Sequence, residues 1–355
     1  MQLESIEFSF LSIFTLTTFL IFLTVSKHSY KIKNGALLDK DFSKPQAFHQ
    51  YAISRSGGIA GIISLNIFFL IYFLLYSKLL YEYIFIGNLM FLIGLLDDIK
   101  IKVSPSKRLL LMIIFLFFSI HFLPIKIFNI DIPFLSNFFQ INIFSSFFVL
   151  LCFLFIINGA NLIDGFNGLL TINLIVVNSI LLYINISSEN NEFSIFLIAQ
   201  IIILLSFLLF NFPNAKIFLG DSGSYLMGSL AALNTIMTNN LNTNYSSFFF
   251  CILLFYLFFE VFFSFLRKII QKKSPVHPDS KHLHMLTFRK VSSVFGKDKG
   301  NYMNSIIINF VSIILVLPAL VFAKDPVICR YWFFSLIIIY LLIYYRLLSF
   351  YKKLN

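Results

Sequence analysis

An all-α bundle of membrane-crossing helices is the fold class this sequence predicts, on three observations. The first is composition: of 355 residues 59% are hydrophobic, 48 are Phe and only 12% are charged, whereas a soluble domain is about 25% charged. The second is a mean hydropathy of +0.88, concentrated in apolar runs long enough to cross about 30 Å of hydrocarbon. The third is the distribution of Lys and Arg, which collect in alternate loops.

About eleven spans (ten to eleven) are expected, beginning near residues 8, 57, 79, 108, 143, 168, 193, 225, 248, 302 and 329. The first follows Glu4 and Glu7 rather than a basic segment, and no A-x-A cleavage site follows it, so it is expected to stay as a helix. A short link around Ser77 and Lys78 separates the second from the third, and Asn234 interrupts the eighth. With loop 27–56 in the cytoplasm, alternation leaves only Lys78, Lys126, Lys324 and Arg330, of 27 basic residues, on the other side. That asymmetry places the N-terminus outside and the C-terminus in the cytoplasm.

The cytoplasmic segments are then 27–56, 97–107, 158–168, 211–224 and 267–301, each too short for a core of its own. Residues 1–355 read as a single polytopic membrane domain. The net charge of +11 lies in loops rather than on one amphipathic face, so membrane orientation explains it and no nucleic-acid partner is implied. Cys152, Cys251 and Cys329 lie far apart in or beside apolar segments and read as packing residues.

Four polar signatures interrupt the hydrocarbon: GLLDDIKIKVSP at 94–105, NGANLIDGFNGL at 158–169, NFPNAKIFLGDSGS at 211–224 and SPVHPDSKHLHM at 274–285. All fall at cytoplasmic ends or loops, where ionisable residues in a membrane protein mark function. Neighbours on a helix point about 100° apart, so one of Asp97 and Asp98 can face a reaction centre while the other pairs with a lysine. Asn158, Asn161, Asp164 and Asn167 recur every three residues and lie near one side of a helical turn, a row able to hold a nucleotide or hydrated cation. Asp221 or Ser222 can cap a helix whose N-terminus is a natural phosphate site. His282 and His284 share a side only in extended chain. With His277, Asp279 and Lys281 they suit a pyrophosphate better than zinc, for which a third strong ligand is missing.

Together and in this order, the signatures resemble the polyprenyl-phosphate N-acetylhexosamine-1-phosphate transferase family. That family includes the enzymes that start O-antigen, enterobacterial common antigen and teichoic acid, and the related phospho-N-acetylmuramoyl-pentapeptide transferase. The resemblance runs from about 41 to 285. It begins at Asp41, His49 and Arg55-Ser56-Gly57-Gly58, with Ala52-Ile53-Ser54 where the family has Pro-Thr-Pro, and continues through DDIKIKVSPSKRL with Arg108. Leu257 and Glu260 stand where a Pro and an Asp are common, Ser280 replaces a frequent Arg, and Met285 replaces a His.

The resemblance implies transfer of a sugar-1-phosphate from a UDP-N-acetylhexosamine to undecaprenyl phosphate in the bacterial cytoplasmic membrane, with UMP released. It implies Mg2+ (or Mn2+) held by Asp221, catalytic roles for Asp97, Asp98 and Asp164, and substrate contacts from Arg55, Asn158, Asn161, Asn167, Lys216, His282 and His284. A homodimer is compatible with it. The competing class is a transporter or ion pathway, which would place acids near the middle of spans; here only Glu82 and Glu260 lie well inside them.

The orientation has a direct check. Cysteine labels at Ser43 and Ser292 are expected to react from the cytoplasm, and labels at Asn190 and Asn244 from the opposite side. Reaction of Asn190 and Ser292 sites from one side would overturn it.

Overall fold

Hydrocarbon offers no partners to backbone N–H and C=O groups, so long apolar stretches satisfy them internally as helices. The computed structural model describes residues 2–40, 52–101, 103–123, 125–128, 130–274 and 279–354. The chain forms α1 (Gln2–His28), α2 (Gly57–Tyr76), α3 (Tyr81–Asp98), α4 (Pro105–Phe122), α5 (Pro133–Phe139), α6 (Asn142–Ile163) and α7 (Leu169–Ser187). It continues as α8 (Asn191–Asn211), α9 (Gly220–Leu241), α10 (Ser247–Leu253), α11 (Phe255–Ile270), α12 (Leu283–Phe295), α13 (Lys297–Val321) and α14 (Pro326–Leu354). This is an all-α polytopic membrane protein.

Among the described residues eight helices are long and apolar enough to cross a membrane, and α10 with α11, bent by 77°, makes nine if that pair is one broken span rather than a re-entrant loop. Eleven spans were expected; the two that fall short of this measure are α3 and α9. The cause is local chemistry. α3 carries Glu82, Asp97 and Asp98, and α9 is rich in Gly, Ser, Thr and Asn. These two helices pack along each other, and α9 also meets α2, α6 and α7, so that most of α9 is buried. Asn234, which interrupts the apolar run in sequence, donates to Asn178 Oδ1 at 3.0 Å and to Gln200 Oε1 at 2.8 Å. Gln200 donates back to Asn234 Oδ1 at 3.1 Å. Satisfied in this way, a buried amide costs little and specifies how α7, α8 and α9 align.

Glycines allow the close approach. A β-carbon on Gly94 of α3 would sit 2.4 Å from the Asp221 carbonyl, and one on Gly58 of α2 would sit 2.4 Å from Gly223 N. The start of α2 is aligned with the start of α9 by a strip of backbone pairing. β1 (Leu38–Asp39) pairs antiparallel with β2 (Ile53–Ser54), Ser54 bridges Ile217, and Phe218 N donates to Ser54 O at 2.8 Å. Gly57 N and Gly58 N then donate to Phe218 O and Leu219 O at 2.9 and 2.8 Å. α4 starts at Ser104-Pro105, with Ser104 Oγ accepting from Lys107 N at 3.4 Å and Pro105 at the first helical position.

Gly94→Ala forces a methyl into backbone and is expected to cost about 1–3 kcal/mol, read as a lower midpoint of thermal unfolding in detergent. Gly165→Ala, where nothing lies within 4 Å of an added β-carbon, should leave the midpoint in place.

Candidate functional site

The first N–H groups of any α-helix lack an intrahelical acceptor. At α9 the acceptor comes from another helix: Asp98, at the end of α3, receives Asp221 N at 3.0 Å on Oδ1 and Ser222 N at 2.9 Å on Oδ2. The sequence expectation that Asp221 or Ser222 caps α9 is therefore corrected; Leu219 holds the N-cap position without a side-chain bond. Gly220 lies at φ +79°, and a β-carbon there would meet Asp98 Oδ2 at 2.6 Å, so only glycine admits this approach.

With Asp98 buried in the cap, the Asp221 carboxylate is left facing the side chains around it. Arg108, from the first turn of α4, bonds Asp221 Oδ2 and lies 3.1 Å from Asp97 Oδ1. Arg55, between β2 and α2, reaches Asp97 Oδ2 at 3.5 Å and Asp98 Oδ1 at 3.8 Å. The same guanidinium donates from Nε and Nη2 to Asp39 Oδ2 at 3.1 and 2.6 Å. Charges thus alternate: Asp39, Arg55, Asp97, Arg108, Asp221. Among the described residues the ion partners of Asp97 and Asp98 are these two arginines. Burial works against the Arg55 charge, but Asp39, Asp221 and Asp98 hold its guanidinium above the ordinary range. Asp97 is the most open member, with 30% of its side chain exposed.

Asp164 follows the last residue of α6 and is half-buried. Burial and the negative charges of Asp221 and Asp98 push its carboxyl well above the usual range, which places it in the same electrostatic neighbourhood. Asn161 donates to Ser224 Oγ at 3.0 Å, joining α6 to the first turn of α9. Asn158 donates to its own helix at Leu154 O, 2.7 Å. Asn167 ties loops together: its amide side chain donates to Pro213 O at 2.8 Å and its N–H to Asn301 Oδ1 at 2.9 Å. Lys216 is exposed, and its backbone carbonyl accepts from Tyr30 at 3.2 Å.

The two histidine rings lie side by side although only His282 is extended, His284 being in the first turn of α12. His282 precedes α12 at φ −72° and ψ 152°, and its ring lies parallel to that of His284, centroids 5.4 Å apart. Both are buried. His282 Nδ1 meets Glu260 Oε1 at 3.1 Å, and His284 Nδ1 meets the Tyr256 hydroxyl at 3.4 Å. Burial holds the His284 imidazole down to about 3 against the opposing pull of Glu260, so at neutral pH it is uncharged. The His284 ring packs edge-on against Phe166 at 5.8 Å, which couples the histidine segment to the Asp164 loop. His277, Asp41 and His49 lie outside the described residues.

Among the described residues no group of three His, Cys, Asp or Glu side chains is arranged to hold a metal. Asp39, Glu260, Arg267 and Tyr340 were not singled out as site residues from sequence, and Arg108 only as part of a motif. Asp39 and Tyr340 carry no local signal; their roles come from distant pairing.

Residues 80–239 match the family model described as glycosyl transferase family 4. The undecaprenyl-phosphate alpha-N-acetylglucosaminyl 1-phosphate transferase of Thermotoga maritima is 31% identical over 202 residues, covering 57% of this chain and 60% of the relative. The phospho-N-acetylmuramoyl-pentapeptide-transferase of Clostridium perfringens is 34% identical over 158 residues, 43% of this chain and 50% of the relative. That of Streptococcus agalactiae is 33% identical over 156 residues, 41% and 45% respectively. The chain thus spans about half the length of these curated relatives.

The division of labour between the paired aspartates is measurable. Asp98→Ala removes a helix cap and is expected to destabilise the protein by about 1–2 kcal/mol. Asp97→Asn loosens only part-exposed ion pairs and should shift stability by less than about 1 kcal/mol. Chemical or thermal unfolding in detergent distinguishes the two.

Proposed function

We propose that this chain is a member of glycosyl transferase family 4, whose family model matches residues 80–239, and that it transfers a sugar-1-phosphate from a UDP-sugar to undecaprenyl phosphate and releases UMP. The sugar is N-acetylglucosamine or another N-acetylhexosamine, and the lipid-pyrophosphoryl product begins a cell-surface polysaccharide such as an O-antigen. The site faces the cytoplasm of a bacterial cell. The observation that carries this reading is the alternation of Asp39, Arg55, Asp97, Arg108 and Asp221 at one end of the membrane bundle.

In the reaction a phosphate oxygen of the lipid attacks the β-phosphorus of the UDP-sugar. One P–O bond forms to the lipid phosphate, and the P–O bond to UMP breaks. The second pKa of a phosphate monoester is about 6, so the nucleophile is already mostly ionised and the task is to bring anions together. Arg55 and Arg108 supply fixed positive charge for this, and Arg108 Nε is buried with no partner among the described residues, a donor unspent by the fold. Asp97, open between the two guanidiniums, orients the lipid phosphate or receives its residual proton. Mg2+ or Mn2+, when bound, neutralises the donor pyrophosphate; Asp221 would hold it, with Asp164 nearby. Asn158 and Asn161 stand on the nucleotide side. Support for a prenyl tail comes from an apolar cavity of about 390 Å³ lined by Val177, Phe255, Leu283, Val316 and Leu336, and by Tyr256, the partner of His284.

The test is a membrane assay with undecaprenyl phosphate and radiolabelled UDP-GlcNAc, UDP-GalNAc and other UDP-sugars. Transfer to lipid is expected with one of them, lost in chelator and reduced about 100-fold or more by Asp221→Asn while the membrane holds as much protein as before. Full turnover in chelator would remove the cation from the scheme, and no transfer from any UDP-sugar would remove the reaction.

A further inference from the structure

The segment bearing His282 and His284 is anchored by residues outside the stretch 80–239 that carries the family match. Glu260 of α11 is 1% exposed, and a carboxylate buried so deeply requires donors. Three are supplied: His282 Nδ1 at 3.1 Å and Leu283 N at 3.0 Å, both to Oε1, and the Tyr340 hydroxyl at 2.6 Å to Oε2. One carboxylate therefore caps the start of α12, grips the histidine before it and joins both to α14.

A second clamp lies further along α11. Arg267 donates to Ser264 Oγ at 3.2 Å, to Asp279 Oδ2, to the Lys281 carbonyl and to the Tyr344 hydroxyl. Burial alone would raise the Asp279 carboxyl, but Arg267 holds it below the usual range. Tyr340 and Tyr344 are four residues apart, on one face of α14. The two clamps use the same helix pair, so α14 braces the histidine segment at two successive turns.

A carboxylate on one ring nitrogen of histidine fixes the ring's orientation and decides which nitrogen remains for a ligand. We propose that Glu260 and Tyr340 are positioning residues for the sugar-nucleotide donor: together they fix the His282 ring by Nδ1 and leave Nε2 for the pyrophosphate. This rests on the function proposed above and adds to it a specific role for α14. Among the described residues Glu260 bonds His282, Leu283 and Tyr340 and none of the Arg55–Arg108 cluster, so its effect is assigned to the donor.

The experiment has two arms. Glu260→Gln and Tyr340→Phe are compared with wild type and with Glu260→Asp for KM of the UDP-sugar and KM of undecaprenyl phosphate, each with the other substrate saturating. In parallel, Ser280→Cys is introduced into each, and maleimide labelling of that half-buried position is timed by mass spectrometry. Glu260→Gln is expected to raise the donor KM about tenfold with the acceptor KM unchanged, Tyr340→Phe to do so more weakly, and Glu260→Asp to restore at least half of the loss. Labelling at position 280 should speed up in the Gln and Phe variants. Unchanged labelling in both variants, or equal shifts in both KM values, overturns the proposal. If wild type transfers no UDP-sugar, the donor role falls with the proposed reaction, while faster labelling would still establish the anchor.

Discussion

A single carboxylate, that of Asp98, sealed against the first N–H groups of α9, is the constraint on which the site depends. It takes both Asp221 N and Ser222 N, one on each oxygen, and the α3 terminus cannot move without exposing those donors. The contact is possible only because Gly220 has no side chain and Gly94 lets α3 lie on α9. A negative charge at a helix N-terminus is also favourable in itself. Once Asp98 is committed to the cap, Asp97 on the preceding residue is turned toward Arg55 and Arg108, and Asp221 faces Arg108. The polar site is thus a consequence of one helix-to-helix junction.

Around that junction the charges are arranged so that no acid faces only other acids. Arg55 spans Asp39, Asp97 and Asp98, and Arg108 spans Asp97 and Asp221. Breaking such a pair where it is partly buried leaves an uncompensated charge, which costs more than the pair contributes. The arrangement is also one that incoming phosphates can enter, by taking over the guanidiniums that the carboxylates hold. Asp164 stands slightly apart, pushed up by burial and by Asp221 and Asp98 against the opposing pull of Arg55.

The histidine segment is organised differently. His282 is held by Glu260 and His284 by Tyr256, and the rings lie parallel. Contact with the carboxylate cluster runs through Phe166, which touches His284 from the loop that carries Asp164. Glu260, one of the two acids that sequence places well inside spans, is explained by these partners.

The membrane class and the helical character were determined by the sequence alone, because hydrocarbon length and composition act locally along the chain. Which helices are sheltered was decided in three dimensions: α9, too polar for a free span, is buried against α2, α3, α6 and α7. So too were the cap by Asp98 rather than Asp221 or Ser222, the arginine partners of Asp97, and the brace of Glu260 by Tyr340, 80 residues away. Each of these is a pairing of groups distant in the chain, and no local pattern records which donor a buried carboxylate will find.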